Sequence, residues 1–526
     1  MPISALDTQL GTSYHLLEHT NPQTMNIHLD RESSIPLYRQ IVRQVREMIL
    51  AGSLPPGFHL PPERRLAEAL GVTRTTVISA YEELKAEGFA TAHVGRGTSV
   101  LSPQHPATFT DTTHAMAWNR LFREETTRPP DPLLRDLLDL TTKEGIISFA
   151  VGVPSRDLIP VALFRDAASS LLEEAGAETL HHSPTEGHPP LRESLSRWLT
   201  ARGIRCTPEE VLVLSGSQQG LHLVSRLLVH PGDTVIVEEP SYFGGLEALR
   251  RAGARMIAIP VDDQGMRVDL LEAILERHRP KLIYTLPTFQ NPSGMEMSLE
   301  RRKKLLALAS ARGIPLLEED PYSELRYDGT PLPSLKALDT TGIVLYLATS
   351  SKILFPGLRI GWLVAPKPVV RQCTLLKQSE DLHTNTLGQF VLDRLFREGH
   401  LEQHLEKLRT VYRKNRDLME GALQKYAPEG MTWSRPRGGF YFWCLLPDGV
   451  NRTQLLASAA AKRIAFLPGQ ACFVEETGRF YIRLNFSAPS PSEIPEGVER
   501  LARAIREALV ERRPQRERLV PMRPIV

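Results

Sequence analysis

At 526 residues the chain is long enough for two or three domains, each with its own core. Its 41% apolar and 24% charged content is ordinary for globular protein, and a net charge of +2 implies a polyanion partner only if the charge is gathered in a local patch. Cys206, Cys373, Cys444 and Cys472 have no zinc or redox spacing, "MPISALDTQLG" is not a signal peptide, and no apolar run reaches the length of a membrane span. A protein of the reducing cytoplasm, with no metal and no membrane partner, is therefore expected.

In chain order, residues 1–30 lack periodicity and read as a tail. Residues 31–101 read as a compact helical unit ending in a hairpin. Residues 102–140, rich in Pro, Thr and His, read as a linker with a short helix near "AWNRLFREE". Residues 141–526 alternate strand-like runs with longer helical patterns, as in an α/β domain with a mostly parallel sheet, before a basic, Pro-broken end.

Within the first unit, "IPLYRQIVRQVREMILAG" places Leu37, Ile41, Val45, Met48 and Ile49 on one helical face, with Gly52 suited to end it. "PERRLAEALG" is a second helix stopped by Gly71. Thr73 caps a third, whose stripe is Val77, Ala80, Tyr81 and Leu84. Helix, tight turn, helix is a helix-turn-helix, and "FATAHVGRGTSV" adds two strands as a wing. Such a unit inserts the N-terminal end of its last helix into the major groove of DNA, here Arg74, Thr75 and Thr76. Arg74 fits either a guanine edge or a phosphate. Arg64 and Arg96 flank the groove, and Gly95 and Gly97 let the wing backbone approach closely. Nine Lys/Arg against seven Asp/Glu over residues 31–100 leave a plain helical domain open as well.

"LPPERRLAEALGVTRTTVISAYEELKAEGFATAHVGRGTSV" resembles the winged helix-turn-helix of the GntR family of bacterial regulators. The resemblance implies that Arg64, Arg74, Thr75, Thr76 and Gly95 contact operator DNA. Two departures are Pro62, where serine is frequent, and Ile78, where some members carry a further arginine.

In the larger region five apolar runs end in polar residues: "VLVL" in "SGSQQG", "TVIVEEP" in "SYFGG", "KLIYTLP" in "TFQNPSG", "IPLLEED" in "PYSEL", and "IVLYLATSS" in Lys352. Open α/β sheets bind ligands at that strand edge. Each cluster alone is an ordinary turn or loop; together they suit pyridoxal phosphate. That cofactor needs a lysine for an imine, a carboxylate at its ring nitrogen, a phosphate cradle and a planar partner. Lys352, among apolar residues and near Arg359, is the lysine expected to have a depressed pKa. Asp320 is the expected carboxylate. Ser217 and Gln218 begin a helix that cradles phosphate through backbone amides, with Ser350 and Arg359 adding a hydroxyl and a fixed charge. Tyr242 stacks on the ring, and Asn291 and Tyr322 bond its oxygen. In "RFYIRLNF", Phe480, Ile482, Leu484 and Phe486 share one strand face, and Arg483 points to the other.

The joint pattern resembles the fold-type I aminotransferases across residues 145–510, on "HSPTEGHPPLRESL", "SGSQQGL", "EEPSYFG", "PTFQNPSG", "EEDPYSEL", "SSKILFPGLRIGW", "PRGGFYFW" and "RFYIRLNFS". It implies Lys352 as the Schiff-base lysine, Asp320 on the pyridine nitrogen, and Asn291 and Tyr322 on the phenolic oxygen. It implies Ser217, Gln218, Ser350 and Arg359 around the phosphate, and Arg483 for a substrate α-carboxylate. "HHSPTEGHPP" departs from the usual tyrosine and "DP", placing His181 and His182 at the entrance to the site from a partner subunit.

A GntR-type reader joined to such a domain resembles the MocR/GabR family of transcriptional regulators. The resemblance implies a homodimer that binds operator DNA and responds to an amino compound reacting with the cofactor imine. Two other readings stay open: a working aminotransferase with an appended DNA-binding unit, and a sensor of pyridoxal phosphate itself.

Overall fold

The computed structural model describes residues 25, 27–31, 33, 35–50, 53–93, 97–101, 145–475 and 480–509. The expected linker, the short helix near "AWNRLFREE", the basic C-terminal end, most of the N-terminal tail, Gly52, Gly95 and Arg96 lie outside these residues. The chain divides into two units, residues 1–117 and 118–526.

In the first unit, helices α1 (Leu37–Leu50), α2 (Glu63–Leu70) and α3 (Arg74–Ala86) bury one stripe each. Ile41, Val42, Val45 and Ile49 of α1 meet Val77, Ala80, Tyr81 and Leu84 of α3, all nearly solvent-free. The third-helix stripe is the one its 3.6-residue period predicts. Gly71 ends α2 with φ +63°, a left-handed turn that a side chain disfavours. Thr73 caps α3 by accepting from the Thr76 amide at 3.3 Å. Strands β1 (Ala90–His93) and β2 (Gly97–Val100) pair antiparallel as the expected wing.

The second unit is built on an eight-stranded sheet. Its strands in chain order are β3 (Val211–Leu214), β4 (Thr234–Glu239), β5 (Arg255–Asp262), β6 (Gly265–Met266), β7 (Leu282–Thr285), β8 (Leu316–Glu319), β9 (Val344–Thr349) and β10 (Gly361–Val364). Their spatial order is β3-β10-β9-β8-β7-β4-β5-β6. Only β10 and the short β6 run against the others, so the sheet is mostly parallel, as expected. β3, β7, β8 and β9 are buried along their whole length, because helices cover both faces. A smaller antiparallel sheet joins β11 (Thr432–Trp433), β12 (Tyr441–Leu445), β13 (Leu467–Pro468) and β14 (Tyr481–Asn485) in the order β11-β12-β14-β13. On β14, Ile482 and Leu484 enter the apolar core while Arg483 takes the opposite face.

Candidate functional site: a cofactor pocket at the strand ends

The parallel strands place the ends of β3, β4, β7, β8 and β9 along one edge of the sheet. A pocket of about 260 Å³ opens there, lined by Ser217, Gln218, Tyr242, Asn291, Glu319, Tyr322, Ser351, Lys352, Arg359, Tyr441 and Arg483, among others. Eight expected pocket residues meet in it: Ser217, Gln218, Tyr242, Asn291, Tyr322, Lys352, Arg359 and Arg483. Most of these residues follow the ends of the parallel strands, whereas Arg483 comes from the middle of β14 in the smaller sheet.

Two expectations fail, each by one residue. Asp320 does not line this pocket; Glu319 does. Along β8 side chains alternate between faces, so Glu318 and Asp320 take one side and Glu319 the other. Asp320 instead accepts from the Tyr346 hydroxyl at 3.0 Å and the Ser323 amide at 3.0 Å, away from Lys352. Glu319 accepts from the Tyr284 hydroxyl at 2.5 Å and interacts with the Ser217 side chain and Lys352. Ser350 is likewise turned inward, donating to the Ile360 carbonyl at 2.9 Å, and Ser351 lines the pocket in its place. A short 3-10 turn, Ser350–Lys352, follows β9 and rotates successive side chains, so neighbours face differently.

Lys352 projects into the pocket, its Nζ donating to the Gly152 carbonyl at 2.8 Å. Burial, with the Arg483 and Arg359 guanidinium charges, lowers its pKa from the usual lysine value to about 8, against the opposing pull of Glu319. Burial raises Glu319 to about 7, and the Tyr284 and Ser217 hydrogen bonds and Lys352 oppose that rise. The dominant cause is the same for both groups: a dry pocket disfavours either charge.

Helix α4 (Ser217–Leu228) begins at Gly216, where no side chain caps the first amides. Gly216 sits at φ +90°, and a Cβ there would lie 2.3 Å from the Arg359 guanidinium. Arg359 itself holds a left-handed φ of 56° and donates to the Ser351 hydroxyl at 3.3 Å. Free amides, a helix N-terminus, a hydroxyl and a guanidinium therefore converge, which is the donor set a phosphate requires.

On the other side, Arg483 donates to the Asn291 side-chain oxygen at 2.7 Å and to the Ala150 carbonyl at 2.7 Å, and lies over the Tyr441 ring. Its buried Nε has no partner among the described residues. Tyr441 and Tyr322 share a hydroxyl hydrogen bond of 2.9 Å. Tyr242 bonds Gln218 at 3.4 Å, and Gln218 in turn donates to the Gly244 carbonyl at 3.1 Å. Sequence reasoning missed Glu319, Ser351, Tyr284 and Tyr441. The alternation of β8 says that Glu319 and Asp320 face opposite ways, and a tyrosine in "GGFYFW" was available to it, but nothing in the pattern chose between faces.

In the first unit, Arg64, Arg74 and Thr75 are exposed and Thr76 is half-buried at the N-terminal ends of α2 and α3. Arg74 is held to Glu63 at 3.0 Å, which brings the two helix starts together, and Arg64 pairs with Glu68 at 3.6 Å. Pro62 begins α2 without a side-chain cap. Among the described residues no helix is long and apolar enough to cross a membrane, and no His/Cys/Asp/Glu group could hold a metal ion.

The fold and pocket together define a pyridoxal-phosphate protein of the aminotransferase class, with a helix-turn-helix unit ahead of it. Residues 144–501 match the family of class I and II aminotransferases, and residues 37–100 match the gntR family of bacterial regulatory proteins. The chain belongs to the class I and II aminotransferase family and carries a gntR-type domain at its N-terminal side. It is 40% identical over 382 residues to the aromatic-amino-acid aminotransferase 1 of Thermococcus litoralis, covering 72% of this chain and 92% of that one. It is 32% identical to the HTH-type transcriptional regulator YdfD of Bacillus subtilis, over 90% of this chain and 97% of that one. It is also 32% identical to the HTH-type transcriptional regulator TauR of Rhodobacter capsulatus, over 89% and 96%. The kynurenine aminotransferase of Pyrococcus horikoshii, solved with PMP, superposes with a TM-score of 0.72 at 40% identity, covering 75% of this chain and 99% of that one. The aminotransferases match the large domain, whereas the regulators match nearly the whole chain.

The pocket fits pyridoxal 5'-phosphate, the cofactor of this family. The uncapped start of α4 beside Arg359 suits its phosphate, and Lys352, buried with a lowered pKa, suits its aldehyde.

Proposed function

We propose that the chain is a transcription regulator that reads operator DNA with residues 37–100 and senses a small amino compound bearing a carboxylate in the pocket around Lys352. The observation that carries this reading is the coexistence, in one chain, of an exposed Arg64–Arg74–Thr75 face and a complete pocket. An enzyme has no need of the first, and the regulator relatives match over 90% and 89% of this chain, both units included.

In this reading Lys352 is the point of covalent attachment. Bound there, pyridoxal phosphate supplies an aldehyde for amine capture and an electron-accepting ring. Lys352 Nζ, lowered to about pKa 8, has a useful neutral fraction near neutral pH and can give up or take back a proton. Glu319 would hold a proton at the ring nitrogen. The first amides of α4, with Ser217, Ser351 and Arg359, would hold the phosphate, and Tyr242 would cover the ring. Arg483, which lines the pocket, would receive the carboxylate of the incoming amine. An amine that occupies Arg483 competes with Asn291 for the guanidinium. It biases DNA binding only as far as it prefers one state of the large domain over another. A homodimer, expected from the family, presents two readers to a repeated operator.

The alternative is a working aminotransferase, favoured by the presence of Lys352, Glu319 and Arg483 in one pocket. One experiment separates the two readings: retardation of the DNA upstream of the chain's own gene, with and without a panel of amines, beside a transamination assay with the same amines. Sequence-specific retardation that one amine class alters supports the regulator. Rapid turnover without specific DNA binding overturns it.

A further inference from the structure

The turn that opens α4 is clamped from behind, by residues outside the pocket lining. Ser215 lies two residues before the helix, and Gln219 is its third residue. The Ser215 amide donates to the Gln219 side-chain oxygen at 2.8 Å, closing the turn around Gly216 and its φ of +90°. Both side chains then converge on one oxygen of Asp381. The Ser215 hydroxyl donates to it at 2.6 Å and the Gln219 side-chain nitrogen at 2.9 Å. The other Asp381 oxygen accepts from Lys377 at 2.7 Å, a lysine whose side chain has no solvent exposure.

Asp381 reaches this turn from 166 residues further along the chain. It follows helix α5 (Lys367–Glu380), and its amide closes the last turn on the Lys377 carbonyl. The next residue, Leu382, holds a left-handed φ of 61°, and Asn385 caps helix α6 (Thr386–Arg397) by accepting from the Gly388 amide at 2.6 Å. The loop is therefore pinned at both ends, with the carboxylate at a fixed place. Burial pushes the Asp381 carboxyl up, but hydrogen bonds from Lys377, Ser215 and Gln219 outweigh it and hold the group below its usual pKa.

A carboxylate beside a helix start ordinarily takes the first amides for itself. Asp381 bonds side chains of the turn instead, and no side chain caps the first amides of α4. Neutralising Lys377 needs one of its bonds; the other two both go to the turn. Glycine leaves such a turn many conformations, so a donor array built on it depends on support from elsewhere. We infer that Asp381 is a positioning residue for the cofactor's phosphate: through Ser215 and Gln219 it holds the Gly216 turn so that the first amides of α4 stay free and in place. This role rests on the placing of the phosphate at α4 given above.

The test is titration of the full chain with pyridoxal phosphate and, separately, with pyridoxal, which lacks the phosphate, each read by the visible imine band. The parent should bind pyridoxal phosphate far more tightly than pyridoxal. Asp381→Ala should weaken pyridoxal phosphate about tenfold and leave pyridoxal within about twofold. Ser215→Ala keeps the Lys377–Asp381 pair and should act in the same direction by about threefold. It decides the matter should Asp381→Ala, which strands a buried lysine, fail to fold. Glu380→Gln, the neighbouring residue on the surface and paired with Arg226, should change neither affinity. Equal losses for the two ligands would make Asp381 a support of the fold alone and overturn the role. So would an unchanged affinity for pyridoxal phosphate in the folded variants. A parent that binds both ligands equally overturns the phosphate's place at α4, and the role of Asp381 with it.

Discussion

The face proposed to read DNA and the cofactor pocket hold their side chains in opposite ways. Arg74 and Arg64 stand 66% and 85% exposed, each tethered by one surface carboxylate. In the pocket every group is held by another: Asn291 by Arg483, Tyr322 by Tyr441, Glu319 by Tyr284, Gln218 by Tyr242. A surface ion pair contributes little and is screened by salt, whereas a buried partner left alone bears its full desolvation cost. Substitutions on the face should therefore act locally and weakly on the fold, and substitutions in the pocket should spread to their partners.

The largest effect is expected at Lys352. Lys352→Ala should abolish the mass added when the loaded chain is fixed with borohydride, while specific DNA retardation persists. An unchanged mass addition would place the attachment on another lysine. Next comes the pair that the strand separates. Glu319→Gln should weaken pyridoxal phosphate binding about tenfold or more in a fluorescence titration, because a charge-assisted bond to the ring is lost. Asp320→Asn should leave cofactor affinity within about twofold and instead cost about 1–2 kcal/mol of stability, through its bond to the buried Tyr346. The reverse result would restore Asp320 to the role that the sequence suggested.

That pair marks where sequence reasoning stops. In α3 the stripe Val77, Ala80, Tyr81, Leu84 was readable because the opposite face is wet, so polarity reports direction. In "LLEED" both faces of β8 are buried, Glu318 and Glu319 are both carboxylates, and polarity carries no direction. Ser350 and Ser351 pose the same problem beside Lys352. Arg483 escaped it, because Ile482 and Leu484 are apolar and mark the core face by contrast. The edge of the sheet and the gathering there of Ser217, Gln218, Lys352 and Arg359 were thus legible; the facing of adjacent like residues was not.

Moving outward, Arg74→Ala should weaken operator binding by about 1–3 kcal/mol while leaving the cofactor absorbance unchanged, since a base or phosphate contact is lost and no buried partner is stranded. A smaller shift is expected in pH. Lys352 should react with a small acylating reagent, read by peptide mass in the cofactor-free chain, with a midpoint near pH 8. The sign follows from its causes: above that pH the amine is neutral and reactive, and below it the ammonium is not. Arg483→Gln removes a neighbouring positive charge that disfavours the ammonium, so its midpoint should lie higher. A midpoint that falls would show that Arg483 acts on Lys352 by something other than its charge.

The smallest effect tests the surface half of the comparison. On the proposed reading, Arg74 must leave Glu63, or share its guanidinium, before it meets DNA. A pair this exposed contributes about 0.2–1 kcal/mol, so Glu63→Gln should barely move the unfolding temperature of the helix-turn-helix unit. The same substitution removes a negative charge from a face that meets phosphates, so operator binding should tighten a few-fold at low salt and converge with the parent as salt is raised. A large loss of binding would instead mean that Glu63 orients Arg74 for the groove. The face would then resemble the pocket, with each functional group depending on a partner.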